Sequence, residues 1–166
     1  MAGVLLRAIA YATVFIGVVL VYLPARALAW AGVAAPERLG PLELVGALLT
    51  TGGAALAGWC ILTFAIVGRG TPAPFDPPRR LVASGPYRYL RNPMYLGAGL
   101  ALAGAALVYR SGALLAYAGA FLALAHLLVI AYEEPVLRRT FGRDYEEYCG
   151  RVRRWWPRVH RVAPRS

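Results

Sequence analysis

Residues 92–132 read NPMYLGAGLALAGAALVYRSGALLAYAGAFLALAHLLVIAY, and Arg110 is the one charged residue among them. This arginine and the Ser-Gly step after it divide the stretch into two uncharged segments, residues 92–109 and 111–132. A helix that crosses a bilayer needs about 20 mostly apolar residues, within a range of about 17–25. The stretch therefore predicts two membrane-spanning helices that are joined as a tight hairpin.

Two further uncharged segments precede the hairpin, at residues 8–25 and 44–68. With them the sequence predicts an all-α fold, a polytopic membrane protein with about four transmembrane helices and a cytosolic helical C-terminal segment. The composition agrees, because 59% of the 166 residues are apolar, 16% are charged and the mean hydropathy is +0.53. A soluble domain carries about 25% charged residues. The same figures exclude a disordered chain. A disulfide scaffold is also excluded, because the chain has only Cys60 and Cys149, which we expect to be free thiols.

The distribution of arginine predicts the orientation in the membrane. The chain has 18 arginines, no lysine and a formal charge of +10. Five arginines lie in residues 69–91 and nine follow Glu134, and with four spans both groups fall on the side of the N-terminus. Because basic residues are enriched on the cytoplasmic side, we expect both termini in the cytoplasm, at a bacterial or archaeal plasma membrane. Nothing suggests a base-reading fold, and no Cys/His cluster has the spacing of a metal site. We therefore expect neither nucleic acid nor metal as a partner.

Residues 81–95, LVASGPYRYLRNPMY, differ from plain membrane scaffolding. Ser-Gly-Pro marks a turn, and Asn92 followed by Pro93 predicts a helix start, with Asn as the N-cap and Pro at the first helical position. The third span would then begin beside Arg88 and Arg91. A helix N-terminus next to arginines is suited to a carboxylate or a phosphate. The alternative is an ordinary interfacial loop before a well-capped helix.

Residues 133–148, EEPVLRRTFGRDYEEY, place two adjacent carboxylates at the end of the fourth span. Ionisable groups at the membrane border are costly and usually have a purpose. The alternative is that Glu133 and Glu134 simply end the helix at the surface. His126 precedes Glu133 by two helical turns, on roughly the same face, and we interpret it as a packed, hydrogen-bonded residue.

Aromatic residues lie among the arginines of the C-terminal segment. Tyr148, Trp155 and Trp156 have the composition of an interfacial anchor, in which rings lie at the headgroups and guanidinium groups reach lipid phosphates. We therefore expect membrane lipids as partners of this segment.

Together, the segments at 81–95 and 133–148 resemble the isoprenylcysteine carboxyl methyltransferase family, integral membrane enzymes that are similar to phospholipid N-methyltransferases. The family shows L-V-x-S-G-x-Y-x-x-x-R-H-P-x-Y, a helical hairpin and then E-E-x-x-L-x-x-x-F-G-x-x-Y-x-x-Y. The resemblance covers about half of the chain, residues 79–158. The matching residues are Leu81, Val82, Ser84, Gly85, Tyr87, Arg91, Pro93, Tyr95, Glu133, Glu134, Leu137, Phe141, Gly142, Tyr145 and Tyr148.

The resemblance implies S-adenosyl-L-methionine as the cofactor and a methyl transfer to a lipophilic or amphiphilic small molecule, such as an isoprenylcysteine carboxylate or a lipid amine. It implies catalytic roles for Arg91, Glu133 and Glu134, and substrate contacts for Arg88 and Arg138. The cofactor pocket that it implies is lined by Arg79, Arg80, Leu81, Val82, Tyr87, Asn92, Pro93, Met94, Tyr95 and Glu133.

Two positions depart from the family pattern. Asn92 replaces the family's histidine, and an amide cannot act as a base that titrates near neutral pH. Val129 stands where enzymes of prenylcysteine carboxylates have an arginine, four residues before the first glutamate, so the prenylcysteine substrate is not favoured.

The alternative function is a non-catalytic membrane scaffold or small-molecule binder that retains the fold. A small transporter is less favoured, because the spans lack charged pathway residues. We expect a single membrane domain, 1–166, whose parts are the first two spans (1–68), a cytosolic cofactor loop (69–93), the helical hairpin (94–132) and a basic cytosolic C-terminal segment (133–166).

Overall fold

A computed structural model describes residues 13–38, 40–68 and 80–157 of the chain. These residues form helices and connecting turns, and the described part contains no β-strand. The predicted all-α fold is thus confirmed. The helices are α1 (Thr13–Trp30), α2 (Pro41–Gly68), α3 (Pro93–Val108), α4 (Gly112–Phe141) and α5 (Arg143–Arg151).

The described residues of each of the four predicted apolar segments are helical; residues 8–12 of the first segment lie outside the described residues. The helices α1, α2 and α4 are long and apolar enough to cross a membrane. Helix α3 has 16 residues, or about 24 Å at a rise of about 1.5 Å per residue, which is less than the roughly 30 Å of a bilayer core. Pro93 begins it, and the turn at Tyr109 and Arg110 ends it. The described chain is therefore an integral membrane fold with three helices of full span length and one shorter apolar helix.

Helices α2 and α3 run antiparallel with their backbones in contact. Gly46 and Gly53 lie seven residues apart on α2, and Gly97 and Gly104 repeat that spacing on α3. A side-chain carbon on Gly46 would lie 2.7 Å from the carbonyl oxygen of Gly104, and one on Gly97 would lie 2.7 Å from that of Gly53. No side chain fits at such distances. The four glycines therefore allow the close approach that small residues give to helices in lipid.

Helix α1 runs antiparallel to α4 and packs against it. The rings of Phe15 and Phe121 lie 6.4 Å apart between centroids. The hydroxyl of Tyr117 donates a hydrogen bond to the carbonyl oxygen of Val19, at 2.8 Å. Val19 lies in a π-helical segment of α1, Ile16–Tyr22, where a carbonyl is easily left without its usual helical partner.

The helix directions place the start of α3 at the same end of the bundle as the carboxyl-terminal parts of α2 and α4. This end, at Gly68, Pro93 and Glu133, is called the loop end below, and the opposite end, at Pro41 and Arg110, is called the far end. At the loop end, a short 3-10 turn, Gly85–Arg88, precedes α3. The chain after α5, residues 152–157, is called the return segment, because it comes back to the loop end, where Arg153 pairs in parallel with Leu90 between this turn and α3.

An ion pair joins two elements at the far end. Glu43 lies in the first turn of α2 with 2% of its surface exposed. Its carboxylate accepts a hydrogen bond from the backbone N–H of Gly40 at 2.9 Å and one from Nε of Arg110 at 2.5 Å. Arg110 has a positive φ of 48°, a conformation that is uncommon for a residue with a side chain. The hairpin turn between α3 and α4 is thus fastened to the start of α2.

Candidate active site

Tyr95 and Glu133 form a hydrogen-bonded pair at the loop end. Tyr95 lies in the first turn of α3, and Glu133 is the last residue of a π-helical segment of α4, Val129–Glu133. The buried Tyr95 hydroxyl donates a hydrogen bond to Oε1 of Glu133. Segments of π-helix inside α-helices are frequent at functional sites, because the wide turn redirects side chains. Here the segment ends at Glu133, the first of two consecutive carboxylates that have different partners.

Glu134 is bound by two arginines from other parts of the chain. Its Oε1 accepts from Nε of Arg154 at 2.7 Å and its Oε2 accepts from Nη2 at 3.0 Å. Nη2 of Arg91 lies 3.4 Å from the same Oε1. Two parallel N–H···O bonds between guanidinium and carboxylate are among the stronger charged contacts in proteins. Glu134, with 6% of its surface exposed, therefore connects α4 to the loop before α3 and to the return segment.

Arg91 has donor capacity that the described residues do not use. Its Nη1 donates to Sγ of Cys149, a weak acceptor. Its Nε is buried and has no hydrogen-bond partner within residues 13–38, 40–68 and 80–157. A buried polar group that lacks a partner carries a free-energy cost of about 1–3 kcal/mol. A ligand that placed an acceptor atom beside this Nε would satisfy the donor and remove that cost.

Buried tyrosines connect the loop before α3 to α5. The hydroxyl of Tyr148 donates to the carbonyl oxygen of Tyr87 at 2.6 Å. The ring of Tyr87 packs edge-on against Phe64, with 5.1 Å between centroids. Burial raises the pKa of Tyr87, Tyr145 and Tyr148 well above the usual value for a phenol. These side chains are thus neutral at physiological pH and serve as hydrogen-bond donors and aromatic surfaces.

A protein-family model described as phospholipid methyltransferase matches residues 42–144 of the chain. The chain belongs to this family. Comparisons with curated proteins and with solved structures found no match.

Membership of the phospholipid methyltransferase family, together with the three helices of span length, identifies an integral membrane methyltransferase. The matched range begins in the first turn of α2 and ends in the first turn of α5, so it includes Arg91, Tyr95, Glu133 and Glu134. The return segment and Arg154 lie beyond it.

The structure brings together several of the residues that the sequence singled out. Arg91 and Glu134 contact each other, and Tyr95 contacts Glu133. Val82 and Tyr87 are buried in one cluster with Cys60, and the partly buried Met94 packs against that cluster and against the one that contains Tyr95. The buried Pro93 is at the start of α3, and the half-buried Leu81 packs against the α5 tyrosines.

Other predicted site residues lie outside this cluster or outside the described residues. Arg80, Arg88 and Arg138 are exposed, and the guanidinium of Arg88 lies over the ring of Tyr89 at 4.7 Å. Arg79 is not among the described residues. The structure leaves the side chains of Arg88 and Arg138 exposed. Their implied roles in substrate binding thus remain predictions.

Asn92 has the predicted position but not the predicted contact. It is the residue before α3, and Pro93 follows at the first helical position, as expected. Its side chain makes no capping hydrogen bond; instead Nδ2 donates to the carbonyl oxygen of Arg154 at 3.4 Å. The prediction of a capping side chain was wrong, because the return segment brings a carbonyl within reach of the amide.

The prediction of an interfacial anchor was wrong for two of its three residues. Tyr148 is buried under the loop, and Trp155 is half-buried, with Nε1 donating to Nδ1 of His126 at 3.0 Å. Only Trp156, 75% exposed, has the expected character. The hydrogen bond from Trp155 confirms that His126 is a packed, hydrogen-bonded residue. Cys60 and Cys149 are both free, as predicted.

Sequence reasoning missed Arg154 and Cys149 as members of the cluster. Arg154 is one of nine arginines after Glu134, and neither a motif nor a spacing distinguished it. A parallel backbone bridge pairs Leu90 with Arg153, and this pairing orders the return segment beside the loop. Only the folded chain therefore reveals which arginine meets the carboxylate.

Proposed function

We propose that this protein transfers a methyl group from S-adenosyl-L-methionine to a lipophilic or amphiphilic acceptor at the loop end. The observation that carries the proposal is the buried Nε of Arg91, which has no partner among the described residues and belongs to a guanidinium that pairs with the buried carboxylate of Glu134. The half-buried carboxylate of Glu133, which accepts from Tyr95, is its neighbour in the chain. A site with a spare buried donor and two carboxylates suits a ligand that has both an anionic and a cationic group.

The residues present fit that cofactor. S-Adenosyl-L-methionine has a carboxylate, an ammonium group and a sulfonium cation. The guanidinium of Arg91 is suited to the carboxylate through a charge-assisted hydrogen bond. The carboxylate of Glu133 and the ring of Tyr95 are suited to the cationic groups, by hydrogen bonding and by contact with the aromatic face. In this proposal Tyr87, Val82, Pro93 and Met94 form the apolar wall.

The bound cofactor would supply an electrophilic methyl group on a sulfonium sulfur. The chain's own part is to hold donor and acceptor in line, because orientation accounts for much of the rate of a displacement. The hydrogen bond from Tyr95 fixes the orientation of the Glu133 carboxylate. An acceptor amine loses a proton on methylation, and we assign that proton to Oε2 of Glu133, since Oε1 already accepts from Tyr95.

The location of the cluster supports a lipophilic acceptor. The loop end is where α2 and α4 leave the membrane, so an acceptor dissolved in the bilayer reaches it from the side and a soluble cofactor reaches it from the water. We propose that this end faces the cytoplasm. The support is the arginine count, with fourteen of 18 in residues 69–91 and in the chain after Glu134.

Cofactor binding to the purified full-length protein in detergent tests the proposal. We expect S-adenosyl-L-methionine to bind with micromolar affinity by isothermal titration calorimetry. Glu133→Gln and Arg91→Lys should each weaken binding about tenfold, because each removes one charged or hydrogen-bonded contact. Glu146→Gln removes an exposed carboxylate of α5 and is the matched control.

Two results would contradict the proposal. One is the absence of cofactor binding to a folded protein. The other is binding that is equally strong in the Glu133 and Arg91 variants and in the control. Incubation of membranes with methyl-labelled cofactor then separates an enzyme from a binder, because only an enzyme moves the label into an extractable lipid or small molecule.

A further inference from the structure

A hydrogen bond between His126 and Trp155 joins α4 to the return segment. Nε1 of Trp155 lies 3.0 Å from Nδ1 of His126, and the two rings are 5.9 Å apart between centroids. An indole nitrogen only donates, so Nδ1 of the imidazole must be the acceptor. The contact therefore selects neutral His126 with its proton on Nε2. An imidazolium cannot form this bond, because both of its nitrogens are donors.

Three consecutive residues fasten the return segment to the loop end. The backbone N–H of Arg91 donates to the carbonyl oxygen of Arg153 at 3.0 Å. Arg154 binds Glu134 through two hydrogen bonds, and Trp155 follows it directly. A displacement of Trp155 is thus transmitted over one residue to the partner of Glu134 and over two residues to the backbone of Arg91.

The indole ring of Trp155 also has apolar contacts. The ring is half-buried and packs against the cluster that includes Tyr95, Phe121 and Val129. Apolar packing is not directional, whereas a hydrogen bond weakens steeply when its atoms are misaligned. The bond to His126 is therefore the contact that fixes the orientation of the indole.

The imidazole of His126 is the group in this region whose charge ordinarily changes between pH 5 and 8. The other titratable and charged groups that the surrounding elements bring here are Tyr95 on α3, Glu133 on α4 and Arg154 on the return segment. Each has a partner other than the imidazole, because Tyr95 binds Glu133 and Arg154 binds Glu134. Helix α1 meets α4 at Phe121, more than one turn before His126.

We propose that His126 is a positioning residue of the cofactor site, which holds the return segment in place when the imidazole is neutral and releases it when the imidazole is protonated. The inference rests on the proposed function, because it assigns the regulation of that same site. Since only the neutral ring accepts the bond, the contact is present at pH 8 and is lost as the pH falls toward 5. Arg154 then loses its fixed position on Glu134, and the loop that carries Arg91 loses its backbone partner.

The indole N–H of Trp155 reports on the contact without the cofactor. The full-length protein in detergent, labelled with nitrogen-15 tryptophan, has four indole N–H groups, and Trp155→Phe assigns the signal of interest. We expect the proton chemical shift of this signal to move in a single transition between pH 8 and pH 5. Trp30, 81% exposed at the far end, is the internal control and should not move.

Substitutions of His126 separate the hydrogen bond from the packing. In His126→Asn, Oδ1 replaces Nδ1 as an acceptor that does not titrate, so the Trp155 signal should no longer change with pH. His126→Leu retains an apolar side chain but no acceptor, so the signal should resemble the wild-type signal at pH 5 at every pH. His160→Asn removes the second histidine of the chain and is the matched control, which should titrate like the wild type.

Calorimetric titration with S-adenosyl-L-methionine connects the contact to the site. Between pH 8 and pH 5, we expect the affinity of the wild-type protein to fall about fivefold more than that of His126→Asn, which is the size of one lost hydrogen bond. Glu133 is present in both proteins, so the difference between them isolates the histidine. His126→Leu should bind about fivefold more weakly than the wild type at pH 8 and should lack the extra loss at pH 5.

Three results would overturn the inference. They are a Trp155 signal that does not change between pH 8 and pH 5, a signal that titrates equally in His126→Asn, and a cofactor affinity whose pH dependence is the same in the wild type and in that variant. Cofactor binding together with an unchanging signal overturns this inference alone. Absent cofactor binding at both pH values together with a signal that titrates overturns the methyl-transfer proposal and, with it, the role of His126 in the cofactor site.

Discussion

Arg154 binds Glu134 through two nearly parallel hydrogen bonds, of 2.7 Å and 3.0 Å, between residues that lie 20 positions apart in the chain. The pair fastens the return segment to the carboxyl-terminal part of α4. The same carboxylate also faces Arg91, so one buried acid connects the part of the chain that follows α5 to the loop before α3.

Loss of the arginine should loosen the loop end. Arg154→Ala removes a partner of a largely buried carboxylate, and we expect a loss of about 1–2 kcal/mol, since Arg154 itself is 31% exposed. Arg154→Lys should restore little of it, because an ammonium cannot form the paired contact. The apparent melting temperature in detergent measures the change. Arg153→Ala, at an exposed neighbour, is the control, and an equal loss there would argue against this account.

The far-end ion pair should stabilise the fold without affecting the candidate site. Glu43→Gln weakens the bonds to Arg110 and to Gly40, so we expect a lower apparent melting temperature. Cofactor affinity should stay unchanged, because the pair lies at the opposite end of α2. Glu37→Gln changes an exposed acid in the chain just before α2 and should have no effect. A large loss of cofactor affinity in Glu43→Gln would contradict the separation of the two ends.

The backbone contact between α2 and α3 should tolerate no added atoms. In Gly97→Ala the new methyl group would lie 2.7 Å from the carbonyl oxygen of Gly53, so the helices must separate. We expect a loss of about 1–3 kcal/mol. In Gly119→Ala the added carbon meets nothing within 4 Å, and alanine is the better helix former by about 1 kcal/mol. Thermal unfolding of the two variants should therefore shift in opposite directions.

The two cysteines should differ in reactivity toward N-ethylmaleimide. Cys149 is half-buried beside Arg91, whereas Cys60 has none of its surface exposed. We expect one thiol to be alkylated in the folded protein and the second only after unfolding, as intact-mass spectrometry would detect. A ligand bound at Arg91 should slow the first alkylation. Fast alkylation of Cys60 in the native protein would be inconsistent with its burial.

Much of the architecture could be predicted from the sequence, because the number and position of the helices depend on the length of the uncharged, apolar runs. The uncharged runs predict the four helices, and the Arg110-Ser-Gly step predicts the hairpin. The motif also led to Tyr95 and Glu133, which the fold pairs with each other. These features are encoded within short stretches of the chain.

The contacts of the return segment could not be predicted in this way. Tyr148 and Trp155 have amphipathic rings that suit either a lipid headgroup or a protein interior, and the choice depends on the carbonyl of Tyr87 and the ring of His126. Asn92 is similarly diverted from capping its helix by the carbonyl of Arg154. Each outcome depends on a partner 29 or more positions away in sequence, which local patterns do not encode.

The pairing of Glu134 with Arg154 also sets the shortest chain that can close the loop end. All five helices precede Arg154 in the sequence. A chain that stops after Arg151 therefore keeps every helix but lacks the principal counter-charge of the buried acid on α4. Such a truncated chain should insert as a bundle whose loop end stays unfastened.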